Sequence, residues 1–122
     1  MKERGRGNVI TISSAAARRP HPGSPIAYAA AKAGIELLTK DAAAQAGPHG
    51  IRVNCIAPET IMTETNQQQI PAQVQESLRQ SHPIRRLGTP EDVAHTALFL
   101  GSDNSAWISG IVIDVAGGSV LL

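Results

Sequence analysis

Two serines, a tyrosine and a lysine sit within one short stretch of this chain. Ser13 and Ser14 follow the apolar run Asn8-Val9-Ile10-Thr11-Ile12, and Tyr28 and Lys32 come four residues apart a little further on. Residues at i and i+4 share a helix face, so a phenol and an ammonium can point into one site. A phenol titrates near about pH 10, and a cation in contact shifts such a group by roughly 1 to 3 units toward its charged form. A serine at the carboxyl end of a strand can donate to a substrate oxygen, and in open α/β sheets those ends are where ligands bind. Together the groups suit proton transfer to or from a carbonyl or alcohol oxygen. Each part alone is common. A Tyr-x-x-x-Lys on a helix more often marks a solvated edge than a site. The order of the parts carries the information.

The elements that position them can be read in turn. Residues 8–13 form a β-branched strand. Residues 15–27 are a loop punctuated by Pro20, Pro22, Gly23 and Pro25. Ser24 followed by Pro25 predicts a helix start, with a hydroxyl cap and proline in the first turn. That helix runs to about Ala46, is rich in alanine, and carries Ile35, Leu37 and Leu38 as its larger apolar residues. Gly47-Pro48 stops it. Residues 51–57 form the next strand, ended by Pro58. Strand, helix, strand predicts a parallel pair with a right-handed crossover. Residues 59–88 are polar and read as an irregular excursion, either a cover over a site or a plain surface segment, with a short helix at 72–81. Thr89-Pro90-Glu91-Asp92 opens another helix, and a last strand lies within residues 107–115. The pattern is α/β, a doubly wound parallel sheet with three strands.

Composition narrows the function. The chain has 122 residues, a formal net charge of +1, and one each of Phe, Tyr and Trp. That gives neither a basic field for nucleic acid nor a stacking platform for its bases. The basic cluster Lys2, Arg4, Arg6 is broken by Glu3 and reads as a solvated terminus. Cys55 is the one cysteine, so it forms no internal disulfide and no multi-cysteine metal site, and its apolar context predicts a buried inert thiol. His21, His49, His82 and His95 show no ligand spacing and read as loop or surface residues, so no metal is expected. No apolar run approaches the roughly 18 residues of a membrane span, which leaves a cytoplasmic protein as the default.

The ordered set resembles the short-chain dehydrogenase/reductase superfamily. Ile12-Ser13-Ser14 resembles its serine-bearing strand, and Tyr28-Ala29-Ala30-Ala31-Lys32-Ala33-Gly34 its Tyr-x-x-x-Lys helix. Ile51-Arg52-Val53-Asn54-Cys55-Ile56-Ala57-Pro58 resembles the strand and turn that follow. Arg86 through Ala94, and Ser109-Gly110 through Gly117-Gly118, resemble the family's last helix and strand. The resemblance implies a Rossmann-type domain and hydride exchange between a nicotinamide, NAD or NADP, and a small carbonyl or alcohol substrate. It implies that Tyr28 is the acid/base, that Lys32 supports it and bonds the nicotinamide ribose, and that Ser14 polarises the substrate oxygen. Spacing to the tyrosine favours Ser14 over Ser13. Pro58, Glu59, Ile61 and Thr63 would lie at the cofactor, and 59–88 would be the substrate loop.

Two departures stand out. The family usually has glycine after the proline, where this chain has Glu59. A carboxylate facing a cofactor phosphate would be repulsive, so Glu59 is expected to contribute backbone or to point away. The family's Gly-x-x-x-Gly-x-Gly fingerprint, whose amides cradle the pyrophosphate, is absent from these residues. The chain therefore resembles the C-terminal half of a reductase, with residues 1–7 as a connecting segment. The first strand is then expected to be a sheet edge with unpaired amides. Activity is expected to need the other half, and the chain is expected to associate with itself or with that half. The alternative is an inactive fragment acting as an oligomerisation or interaction module.

Overall fold

The computed structural model describes residues 1–21 and 23–121, so Pro22 of the expected loop lies outside it. Strand β1 (Gly7–Ile12) leads through a short turn at Ala15–Ala17 to helix α1 (Ile26–Ala46) and strand β2 (Ile51–Pro58). Helices α2 (Glu64–Gln69), α3 (Ala72–Ser81) and α4 (Pro90–Gly101) precede strand β3 (Val112–Val115). The sheet is parallel in the order β1-β2-β3. Gly7 pairs with Ile51 and Ile12 with Ile56, while Pro58 pairs with Val115. The outer edge of β1 has no partner strand among the described residues.

Strand β2 is the centre of the core. Val53, Asn54, Cys55, Ile56 and Ala57 are all buried, which fits a central parallel strand covered on both faces. Cys55 is fully buried, as its context predicted. The buried Asn54 amide is satisfied: its Nδ2 donates to Ile108 O (2.9 Å) and its Oδ1 accepts from Ile111 N (3.3 Å). Arg52 donates to Leu100 O (3.0 Å), Ser102 O (3.2 Å) and Ser105 Oγ (3.0 Å). One guanidinium thus satisfies carbonyls left open at the C-terminus of α4. Between α1 and β2, Gly50 adopts φ 70°, and a Cβ there would lie 2.1 Å from Gly5 O. Both the left-handed backbone and the close approach require glycine.

Helix α1 turns two polar residues inward. Glu36 and Thr39 are buried, whereas Leu37 and Leu38 are 62% and 58% exposed. Thr39 Oγ1 bonds Thr11 Oγ1 at 2.6 Å, and Glu36 meets Ser13 and Arg18, so the buried polar atoms have partners. Three expectations are corrected. Pro25, with φ −61° and ψ 139°, is itself the residue before the first helical turn, and no side chain caps it. The excursion at 59–88 is more ordered than its composition implied. It contains α2, started by Thr63 accepting from Asn66 N, as well as α3. His82 is buried, not on the surface, and its Nδ1 donates to Leu78 O at 2.5 Å. Helix α4 starts as read, with Thr89 and Asp92 forming a reciprocal capping box.

Candidate active site

The two adjacent serines have different jobs, and backbone direction separates them. Ser13 is buried, and its hydroxyl faces Lys32 O and Glu36 Oε1, each at 3.0 Å. A hydroxyl has one proton, so Ser13 shares it between two acceptors on α1 and ties the end of β1 to that helix. Ser14 is extended, with φ −158° and ψ 153°, and its Oγ accepts from Ala16 N at 3.2 Å. An incoming N–H occupies a lone pair and leaves the hydroxyl proton free to donate.

Ser14 opens into a cleft of about 440 Å³ beyond the carboxyl ends of β1 and β2. Tyr28, from the first turn of α1, lines the same cleft and is 44% exposed. Glu59, Ile61 and Thr63 line it from the turn after β2, Asn66 from α2, and Ile70 from the residue just after α2. Lys32 and Pro58 are not in the wall. Lys32 stands behind the tyrosine, with Nζ 5.6 Å from the ring centroid, and donates to Ile12 O at 3.0 Å. Pro58 is the last residue of β2. The excursion supplies Thr63, Asn66 and Ile70 to the cleft, and Asn66 Nδ2 donates to Ile61 O at 2.7 Å.

The loop that carries Ser14 is held by ions that the sequence reading missed. Arg18 makes a two-pronged pair with Asp114 of β3 and lies 3.2 Å from Glu36 of α1. Arg19 Nη2 lies 2.5 Å from Glu59 Oε2, and His21 Nε2 lies 3.1 Å from Glu59 Oε1. The Glu59 side chain is 4% exposed. Burial pushes its carboxyl up, but the hydrogen bond and charge of Arg19, with those of His21, outweigh it and hold the group below the usual carboxylate range. Glu59 thus turns its carboxylate toward the loop. The charge-dense run Arg18-Arg19-Pro20-His21 was visible in the sequence. Its acidic partners are scattered across α1, the turn after β2, and β3, and only folding collects them.

A nicotinamide end fits the residues present. Tyr28 and Thr63 offer hydroxyls at the cleft, Lys32 has ammonium protons beyond the one given to Ile12, and Ile61 gives an apolar wall. No glycine-rich cradle for a pyrophosphate lies in these residues.

Known proteins match this arrangement along nearly its whole length. The family model described as enoyl-(acyl carrier protein) reductase matches residues 1–119. The chain is 39% identical over 120 residues to the 7alpha-hydroxysteroid dehydrogenase of Escherichia coli K12, covering 98% of this chain and 47% of the relative. A 3-oxoacyl-[acyl-carrier protein] reductase from Brucella melitensis superposes with TM-score 0.94 at 38% identity, covering 99% of this chain and 45% of that one. A gluconate 5-dehydrogenase from Burkholderia cenocepacia, solved in complex with NADP and tartrate, gives TM-score 0.88 at 31% identity, covering 97% and 46%. The chain spans about half the length of the curated relatives it matches. A parallel three-stranded Rossmann-like sheet, a serine at a strand end and a Tyr-x-x-x-Lys helix, matched across residues 1–119, make this chain a member of the short-chain dehydrogenase/reductase superfamily.

Proposed function

We propose that this chain carries the proton-transfer machinery of an NAD(P)-dependent oxidoreductase acting on a small carbonyl or alcohol. One observation carries the reading: Ser14 and Tyr28, from different elements, line one cleft with the Lys32 ammonium behind the phenol. Tyr28 gives a proton to the substrate oxygen in reduction and takes it back in oxidation. Lys32 sets a positive charge against the negative charge left on the phenol oxygen. Ser14 donates its free hydroxyl proton to the same substrate oxygen and holds it in line. Helix α2 and the residue after it close one side of the cleft through Asn66 and Ile70, as a substrate loop would. When bound, a nicotinamide exchanges a hydride with the substrate carbon. Tyr28, Lys32, Ile61 and Thr63 are the residues that would hold its ribose and ring. Glu59 would contribute backbone only, since its carboxylate is engaged by Arg19 and His21.

The test uses a probe that needs no adenosine pocket. Reduced nicotinamide mononucleotide is titrated into labelled protein, and amide shifts are mapped. Shifts centred on residues 14–16, 28–32 and 61–63 support the reading; shifts elsewhere, or none at millimolar probe, refute it. Where turnover of a carbonyl is measurable, Tyr28→Phe lowers it by roughly 10²- to 10⁴-fold, the range of general acid–base catalysis.

A second reading, an interaction module, is favoured by the open edge of β1 together with exposed Ile26, Leu37 and Leu38 on α1. Sedimentation equilibrium decides it: a monomer across the micromolar range removes it.

A further inference from the structure

Glu59 sits where the chain leaves the sheet after β2, and its backbone is pinned there by Glu59 N donating to Val115 O at 3.1 Å. Its side chain reaches back across the sheet end to the loop that begins with Ser14. That loop is tied at two points. The near point is Arg18, paired with Asp114 and Glu36. The far point is Arg19 and His21, both on Glu59. Between Ser14 and these ties, Ala15 and Ala16 are buried, with Ala15 packed on Ala116 and Val120. The near tie holds the loop against α1 and β3. The far tie sets how the segment from Arg19 to His21 lies against the cleft that Ser14, His21, Tyr28 and Glu59 share.

We propose that Glu59 is a positioning residue for Ser14, holding the serine loop through Arg19 and His21 in the conformation that presents the Ser14 hydroxyl to the cleft. The inference rests on the reading of that cleft as a reductase site. The carboxylate is well placed for this task. It comes from the first residue after the central strand β2, it is almost fully buried, and it meets the Arg19 guanidinium and the His21 imidazole of one loop at once. The carboxylate is withdrawn from solvent while Arg19 and His21 remain partly exposed, so removing it leaves its partners hydrated and the loss falls between that of a surface pair and that of a fully buried one. The surrounding groups leave the carboxylate to the loop. Thr60 Oγ1 (3.3 Å) and Ser119 Oγ (3.4 Å) are its other neighbours, and neither carries charge. Asp114 on β3 is engaged by Arg18. Across the adjoining hollow, which His82 also lines, Arg86 is paired with Asp92.

Amide hydrogen exchange on the intact chain tests this without cofactor or substrate. Ala16 N donates to Ser14 Oγ, and Ala17 N donates to Ser14 O at 3.0 Å, so these two amides report the serine directly. In Glu59→Gln their exchange rises by about tenfold or more, while Cys55 and Ile56 in β2 change by less than about twofold. Glu59→Asp recovers part of the protection. In the wild type, the same amides, corrected for intrinsic rates, lose protection as acid protonates Glu59; in Glu59→Gln that pH dependence is gone. Arg19→Gln, which keeps the His21 contact, gives a smaller rise and serves if Glu59→Gln does not fold. Unchanged exchange at Ala16 and Ala17, or an equal rise throughout β2, overturns the proposal. A loosened loop combined with no nicotinamide shifts at the cleft would overturn it through the functional reading beneath it, not through the clamp.

Discussion

Replacing each of the two adjacent serines by alanine should have opposite consequences, and the size of the difference follows from their contacts. Ser13→Ala removes a buried hydroxyl that serves Lys32 O and the Glu36 carboxylate, both at 3.0 Å. A hydrogen bond to a charged group contributes about 1.5–3 kcal/mol. Glu36 keeps its contact with Arg18 at 3.2 Å, so the lower half of that range applies, about 2 kcal/mol. For a chain of this size, 1 kcal/mol moves the thermal midpoint by roughly 3–6 °C, so Ser13→Ala should lower it by about 6–12 °C. Ser14→Ala removes a single bond to Ala16 N at the start of a three-residue turn. Such a cap contributes about 0.5–1 kcal/mol, a loss of roughly 2–6 °C. Far-ultraviolet circular dichroism is the right probe, because the lone Trp107 is fully exposed and its emission is a poor reporter of unfolding. Function should invert the order: where turnover is measurable, Ser14→Ala impairs it more than Ser13→Ala does. A larger loss of stability in Ser14→Ala than in Ser13→Ala would refute the assignment of anchor and donor.

Other perturbations follow from the same structure. The Glu59 carboxyl is held below its usual range, so its contribution to stability is present above the unfolded value and is lost as pH falls through the folded one. The gap in unfolding midpoint between wild type and Glu59→Gln should therefore be full near neutral pH and shrink below about pH 4.3; a gap constant down to acid pH would contradict this. Arg52→Lys replaces a planar fork serving three acceptors around the end of α4 by a single ammonium. Urea unfolding should show a loss of about 1–3 kcal/mol, and a change within about 0.5 kcal/mol would refute the capping role. Thr89→Ala breaks the capping box of α4 and should cost about 1 kcal/mol by the same assay.

The local elements were legible because their signals are local. Thr89-Pro90-Glu91-Asp92 marks a helix start through side chains that reach their own backbone, and the structure places α4 from Pro90. The β-branched run from Val9 to Ile12 and the apolar run of β2 identify the strands, and their separation by one helix makes them parallel. Tyr28 and Lys32 share a face because helix geometry requires it, and Ser14 precedes them at a strand end. Where local signals were thin, the sequence under-read the chain. Glu64–Gln69 looks like polar loop, yet one Thr63 cap and the Asn66 bond to Ile61 O suffice to start α2. His82 carries no mark of burial, because its cover comes from residues remote in sequence.

The sequence by itself determined the chemistry available here: a serine, a phenol and an ammonium in an order that suits proton transfer to or from a carbonyl or alcohol oxygen. Spacing already favoured Ser14 over Ser13, and tertiary structure gave the contacts that separate them. Ser13 and Ser14 are chemically identical neighbours, but successive side chains of an extended segment point to opposite sides, and one side is α1 while the other is the cleft. Tertiary structure also decided the role of Glu59. In sequence it is an acid where the family usually has glycine; in the fold it becomes the partner of an arginine and a histidine lying 40 and 38 residues earlier. Electrostatic pairing depends on distance in space, and the chain order contains no measure of that distance until the sheet brings the ends of β1, β2 and β3 together.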